Sequence, residues 1–147
     1  MDKLGIVSVG RSDFSILKTL IANIERNYKN YKIFASTAHF SKTFGYTASE
    51  IYESFPKKRI SIVDTKIIVE SPLLLSKSIS MHVQEFAKHF SKNKIKKIIL
   101  LGDRYETLAA AIAATSLSIE IYHLHGGVIT LGSMDTAYRT AISAMSH

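Results

Sequence analysis

The feature that most restricts the fold is the run Lys97-Ile-Ile-Leu-Leu101, closed by Gly102. It is too short for a stable helix and lacks the alternation of a strand with one wet face. Such a run suits a strand covered on both faces, as in a parallel sheet, and it predicts the central strand of that sheet. The segments around it repeat one pattern. Leu4 to Gly10 reads as a strand, and Phe14, Leu17, Leu20, Ile21 and Ile24 then recur at helical spacing, with Ser12 or Asp13 as candidate cap. Tyr31 to Ser36 reads as a second strand. Thr47-Ala-Ser-Glu50 has the spacing of a capping box before a short helix that Pro56 ends, and Arg59 to Val63 reads as a third strand.

The remaining segments continue the alternation. Pro72 suits the first turn of a longer helix whose buried face runs through Leu75, Ile79, Val83, Phe86 and Phe90, leaving Met81 and His82 without a special role. Tyr105 to Thr115 is alanine-rich and helical, Ile119 to Leu124 is a strand, and Asp135 to Met145 is a last helix. Five strands alternating with helices predict an α/β fold. It is a Rossmann-like parallel sheet flanked by helices and joined by right-handed crossovers, with residues 1–147 as a single domain.

Composition removes several functions. The chain has no cysteine, which excludes disulfides, thiolate metal sites and a cysteine nucleophile. No apolar run approaches the roughly eighteen residues of a membrane span, and the start lacks a secretory leader, so the expectation is a cytoplasmic protein without a membrane partner. The net charge of +7 is concentrated in Lys57-Lys58-Arg59 and in Lys92, Lys94, Lys96 and Lys97. These groups precede apolar runs and read as solvated loops entering strands. With no basic stripe interleaved with aromatics, they do not suggest nucleic acid.

Ligands of open parallel sheets bind beyond the carboxyl ends of the strands. The residues there are Gly10-Arg11-Ser12-Asp13, Ser36-Thr37-Ala38-His39, Gly102-Asp103-Arg104 and His123-Leu124-His125-Gly126-Gly127. Glycines allow close backbone approach, and helix N-termini favour an anion, so a phosphorylated or carboxylated ligand fits. Each residue also has a plainer reading. Asp103 can cap the following helix, His39 can be a loop histidine, and one of His123 and His125 is structural because strand alternation sends them to opposite faces. The same alternation weakens a metal site made from the two histidines with Asp103 or Asp135. GxSxG, Walker A and GxGxxG sequences are missing, which argues against a common hydrolase, kinase or dehydrogenase.

The segments VSVGRSDFSIL, STAHFSKTFGYT, LLGDRYETLAAAIAA and HLHGGVITLGSMDTAYRTAISAMSH together resemble the UDP-N-acetylglucosamine 2-epimerases, in particular their hydrolysing branch, which serves sialic-acid-type sugar synthesis. The resemblance covers nearly the whole chain. It implies the N-terminal half of a two-domain fold of the glycosyltransferase-B type, with the C-terminal UDP-binding domain absent; apolar surface left near the strand ends by that absence would favour self-association into a homo-oligomer. It also implies a UDP-sugar substrate, with no cofactor and no metal. UDP would be eliminated from the sugar nucleotide to give a glycal, which is then hydrated to a manno-configured sugar. By matching position, Asp103, His125 and Asp135 are the catalytic candidates. Arg11, His39, Glu106 and Arg139 would shape or charge-balance the site. Three residues depart from the family's pattern: Val128 stands where glutamate is common, Thr140 where histidine is expected, and Ser15 where glycine is usual. Two alternatives accompany this reading, a non-catalytic Rossmann-like interaction module and a fragment of a non-hydrolysing epimerase.

Overall fold

In a computed structural model that describes residues 2–65, 70–127 and 133–147, the alternation forms one five-stranded parallel sheet. The strands are β1 (Leu4–Ser8), β2 (Tyr31–Ser36), β3 (Ile60–Val63), β4 (Lys97–Leu101) and β5 (Glu120–Leu124), in the spatial order β3-β2-β1-β4-β5. The helices are α1 (Arg11–Asn27), α2 (Ala48–Ser54), α3 (Pro72–Asn93), α4 (Tyr105–Ser116) and α5 (Met134–Ala144). The Rossmann-like α/β class is the one the alternation predicts. The middle strand, however, is β1, with β4 between β1 and β5. Apolarity alone does not rank two internal strands.

Two cores lie on opposite faces of the sheet, following the two-residue side-chain period of the strands. Ile6, Ile33 and Ala35 pack with Phe14, Leu17 and Ile21 of α1 and with Ile51 of α2. Val7, Phe34, Ile98 and Leu100 pack with Phe86 and Phe90 of α3 and with the alanines of α4. Each fully buried aromatic or large aliphatic side chain contributes about 1.5–3 kcal/mol of transfer free energy. Ala109, Ala110, Ala111, Ala113 and Ala114 are all inaccessible, and their small side chains let α4 lie close to both α3 and the sheet. No helix of the described residues is long and apolar enough to cross a membrane.

Several local expectations fail for tertiary reasons. Gly10, with extended backbone, is the N-cap of α1 and makes no side-chain cap, so Ser12 and Asp13 fall inside the first turn. Thr47 precedes α2 without capping it, because its hydroxyl pairs with His39. The buried stripe of α3 includes Ser78 and His82 beside Phe86 and Phe90. His82 therefore does have a role: it donates through Nδ1 to the Ser78 carbonyl at 2.7 Å and accepts at Nε2 from the Thr65 hydroxyl at 2.6 Å. Ser71 caps α3 as its position before Pro72 suggests, accepting from the Leu74 amide at 3.3 Å.

Candidate active site

The parallel sheet brings the ends of β1, β2, β4 and β5 to one edge, where Gly10, Arg11, Ser12, Ser15, Ala38 and Arg104 line a cleft of about 450 Å³. The N-terminus of α1 opens into this cleft, and its first-turn amides lack a side-chain cap. Such a helix end favours an anion. Arg11 and Ser12 are exposed there. A mainly apolar groove of about 490 Å³ lies elsewhere, between α1 and the strands β4 and β5 on the same face of the sheet, lined by Leu4, Leu20, Tyr28, Ile99, Tyr122 and Leu124 with Asp2 and Lys97. It presents little chemistry. The strand-end cleft, which holds the charged groups, is the better candidate.

Arg104 dominates the cleft, although the sequence reading names it only as a strand-end residue. Its Nε and Nη2 donate to the two carboxylate oxygens of Glu106, at 3.2 and 3.0 Å. Glu106 is almost wholly buried (1% exposed), whereas the Arg104 side chain is 41% exposed, so a buried carboxylate holds a guanidinium that faces outward. The edge carrying Nη1 runs beside Gly10, where a β-carbon would come within 3.4 Å of it. Burial works against the charge on Arg104, but Glu106 and Asp13 hold its pKa above the ordinary value. Asp13, in the first turn of α1, has its pKa raised to about 6, chiefly by burial, against the pull of Arg104. The clue in the sequence is the Arg-x-Glu spacing at a helix start, legible as a pair only once the glutamate is known to be buried.

Of the predicted site residues, Arg11 lies in this cleft and Glu106 behind it. His39 is completely buried beneath it, bonded to the Ser8 hydroxyl at 2.9 Å and the Thr47 hydroxyl at 2.6 Å, with Phe14 edge-on at 6.1 Å. Burial lowers its pKa to about 4, so the ring is neutral near pH 7 and joins β1 to the start of α2. Asp103 does not cap α4. Its carboxylate accepts from Nη2 of Arg139 on α5, and both side chains are largely buried. Asp103 and Arg104 thus extend the site in two directions, toward α5 and toward α1.

The end of β5 is anchored by His123. The Gly102 carbonyl can only accept, so the ring donates from Nε2 at 2.7 Å, and Nδ1 accepts from the Ser143 hydroxyl at 2.8 Å. Both ring nitrogens are engaged, which makes His123 the structural member of the histidine pair. Gly102 has φ +80°, a left-handed conformation that suits glycine, and it directs the chain toward Asp103. Gly126 is needed for a different reason: an added β-carbon would lie 2.5 Å from Ser143 Oγ and 2.8 Å from His123 Nδ1. His125 stands past the strand, exposed and with φ +61°. Asp135 is exposed in the first turn of α5, where its amide donates to the Ser133 hydroxyl at 3.1 Å. Val128 lies outside the described residues. Thr140 is exposed on α5 and bonds back to the Thr136 carbonyl, while Ser15 lines the cleft beside Ser12.

A family model described as UDP-N-acetylglucosamine 2-epimerase matches residues 22–147. The chain belongs to this family. Among similar members, a GDP/UDP-N,N'-diacetylbacillosamine 2-epimerase (hydrolyzing) from Campylobacter jejuni is 35% identical over 99% of this chain and 38% of that protein. The polysialic acid biosynthesis protein P7 of Escherichia coli is 31% identical over 99% of this chain and 37% of that protein. The fold matches as well. A Methanocaldococcus jannaschii UDP-GlcNAc 2-epimerase, solved in complex with UDP-GlcNAc and UDP, superposes with a TM-score of 0.80 at 19% identity, over 98% of this chain and 38% of the other. This chain therefore spans less than two-fifths of the length of the epimerases it matches.

Proposed function

We propose that this chain forms one wall of the active-site cleft of a hydrolysing 2-epimerase, acting on UDP-N-acetylglucosamine or its diacetamido analogue in the cytoplasm. The observation that carries the reading is the strand-end cleft in which Arg11 and Arg104 flank the open N-terminus of α1, next to the Asp103–Arg139 pair. A diphosphate fits the first part: two guanidinium groups and the helix amides can accept its charge, and planar guanidinium forks bind phosphate oxygens better than ammonium would. Removing the weakly acidic C2 proton requires a positioned base, and the candidates are Asp103 after β4, His125 after β5 and Asp135 in the first turn of α5.

In the first step the C2–H bond breaks and its proton passes to the base. The electron pair forms the C1–C2 double bond, and the C1–O bond to UDP breaks with its electrons on the departing oxygen. Arg11 and Arg104 stabilise that developing charge. Water then adds across the double bond, placing hydroxyl at C1 and a proton on the opposite face of C2. Arg139 orients the Asp103 carboxylate, and Glu106 holds Arg104 in register.

Both cleft walls are required for turnover, because positioning supplies much of the rate. The matched epimerases extend well beyond this length, and the second wall is assigned to a C-terminal UDP-binding domain, with a homo-oligomer as the assembly. Calorimetric titration of the 147-residue chain with UDP-N-acetylglucosamine is expected to show saturable binding that Arg104→Ala weakens about tenfold or more. Joined to the remainder of the Campylobacter relative, the chain should release UDP and a manno-configured sugar. Absence of both binding and turnover would end the proposal. Val128 and Thr140, which stand where the family's pattern has glutamate and histidine, favour one rival, a binding module that uses the same cleft without catalysis. Binding by the chain with no turnover in the joined protein would support that rival.

A further inference from the structure

We propose that Asp13 sets the charge of the anion cleft, so that docking of a diphosphate against Arg11 and Arg104 draws a proton from solvent onto the Asp13 carboxyl. The inference rests on the reading of the cleft as a diphosphate site. Asp13 stands two residues after Arg11 in the first turn of α1, within electrostatic reach of both Arg104 and Glu106. Its Oδ2 is buried and has no hydrogen-bond partner among the described residues, an expensive state for an ionised carboxylate that outweighs the hydrogen bonds the carboxyl takes from the Val9 backbone and the Ser12 side chain. Glu106 differs. It is more deeply buried, but both of its oxygens are satisfied by Arg104.

Among the described residues, the charged groups that act on Asp13 are Arg104 and Glu106 at the start of α4, and Arg11 lies two residues before it on the exposed side of the same helix turn. Tyr105 is protonated because burial and Glu106 raise its pKa, and His39 is neutral because burial lowers its pKa. With Asp13 ionised, two cations face two carboxylates and the cluster is neutral. With a proton on Asp13 the cluster carries one net positive charge. An arriving diphosphate therefore favours the protonated form of a carboxyl whose pKa already stands at about 6, and by linkage the proton favours the diphosphate.

The test uses the 147-residue chain and UDP-N-acetylglucosamine, a diphosphate diester whose own charge does not change near neutrality. Calorimetry in two buffers of different ionisation enthalpy counts the protons exchanged. If the ligand moves the Asp13 pKa up by one unit, about 0.4 proton is taken up at pH 7 and affinity falls about fivefold between pH 6 and pH 8. Asp13→Asn should bind with no proton uptake and little pH dependence over that range. The Asp13 side-chain carboxyl resonance of the unmodified chain, followed by carbon NMR, should titrate at higher pH with ligand than without, which keeps the idea testable should the variant fold poorly. Saturable binding without proton uptake, uptake that persists in Asp13→Asn, or a carboxyl titration that ligand leaves unmoved would each overturn the role of Asp13 while leaving the cleft assignment standing. No saturable binding by the chain would overturn the role of Asp13, and the cleft assignment falls with it if the protein joined to the Campylobacter remainder also shows no turnover.

Discussion

Replacing Arg104 by alanine removes the guanidinium that bonds both oxygens of Glu106, and the structure sets the size of the effect. Both Glu106 oxygens bond the guanidinium, at 3.2 and 3.0 Å, and the carboxylate is 1% exposed, so it loses both hydrogen bonds while still held away from bulk water. Breaking a buried pair by removing one member costs about 3–5 kcal/mol, and the partial exposure of Arg104 brings the expectation down to about 2–4 kcal/mol. For a domain of this size that is a fall in Tm of roughly 5–15 °C. Glu106→Gln leaves a neutral group that can still accept one hydrogen bond from Arg104, and it should cost less, about 1–2 kcal/mol. The double variant, with no charge left buried and unpaired, should be more stable than Arg104→Ala alone. Urea unfolding at pH 7 of the four proteins gives the coupling energy, expected to be at least about 1.5 kcal/mol. If the two single costs simply add, Glu106 is not held by Arg104 and the account of the cleft fails.

Three further outcomes follow from the same geometry. The pKa of Asp13 is raised from 3.8 to about 6, so the native state prefers its acid form and stability is lost as pH rises from about 4 to 6. Asp13→Asn should therefore stabilise the chain at pH 7 by about 2 kcal/mol, measurable by urea unfolding. The pKa of His39 is lowered from 6.5 to about 4, which works in the opposite sense: its contribution is complete above about pH 6.5 and is lost as pH falls toward 4. Asp13→Asn should thus uncover a steeper rise of stability with pH in this window, and His39→Gln should flatten it. Gly126→Ala places a carbon against Ser143 Oγ and His123 Nδ1 and should cost about 1–3 kcal/mol in the same assay; a neutral result would contradict the packing at the end of β5.

Much of the fold is legible in the sequence because the signals are local. Lys97 to Leu101 is a strand in both readings with the same bounds, and so is Tyr31 to Ser36, since a strand's apolar run and its flanking breakers lie within a few residues of one another. Strand ends are local too, which is why the sequence by itself marks Arg11, Asp103 and His125 as site candidates. Tertiary structure decided which groups face each other. The Asp103 side chain could cap its own helix, yet it pairs with Arg139, 36 residues away, because β5 lies beside β4 and α5 packs on α4. The Thr47 hydroxyl could complete a capping box, yet His39 takes it. Arg104 became a central residue only when α4 turned Glu106 inward, and Asp13 only when burial removed water from its carboxyl. Periodicity sets the kind of element and needs only the next few residues. Partnership and protonation depend on strand order and on desolvation, which the chain acquires only when the sheet has closed around them.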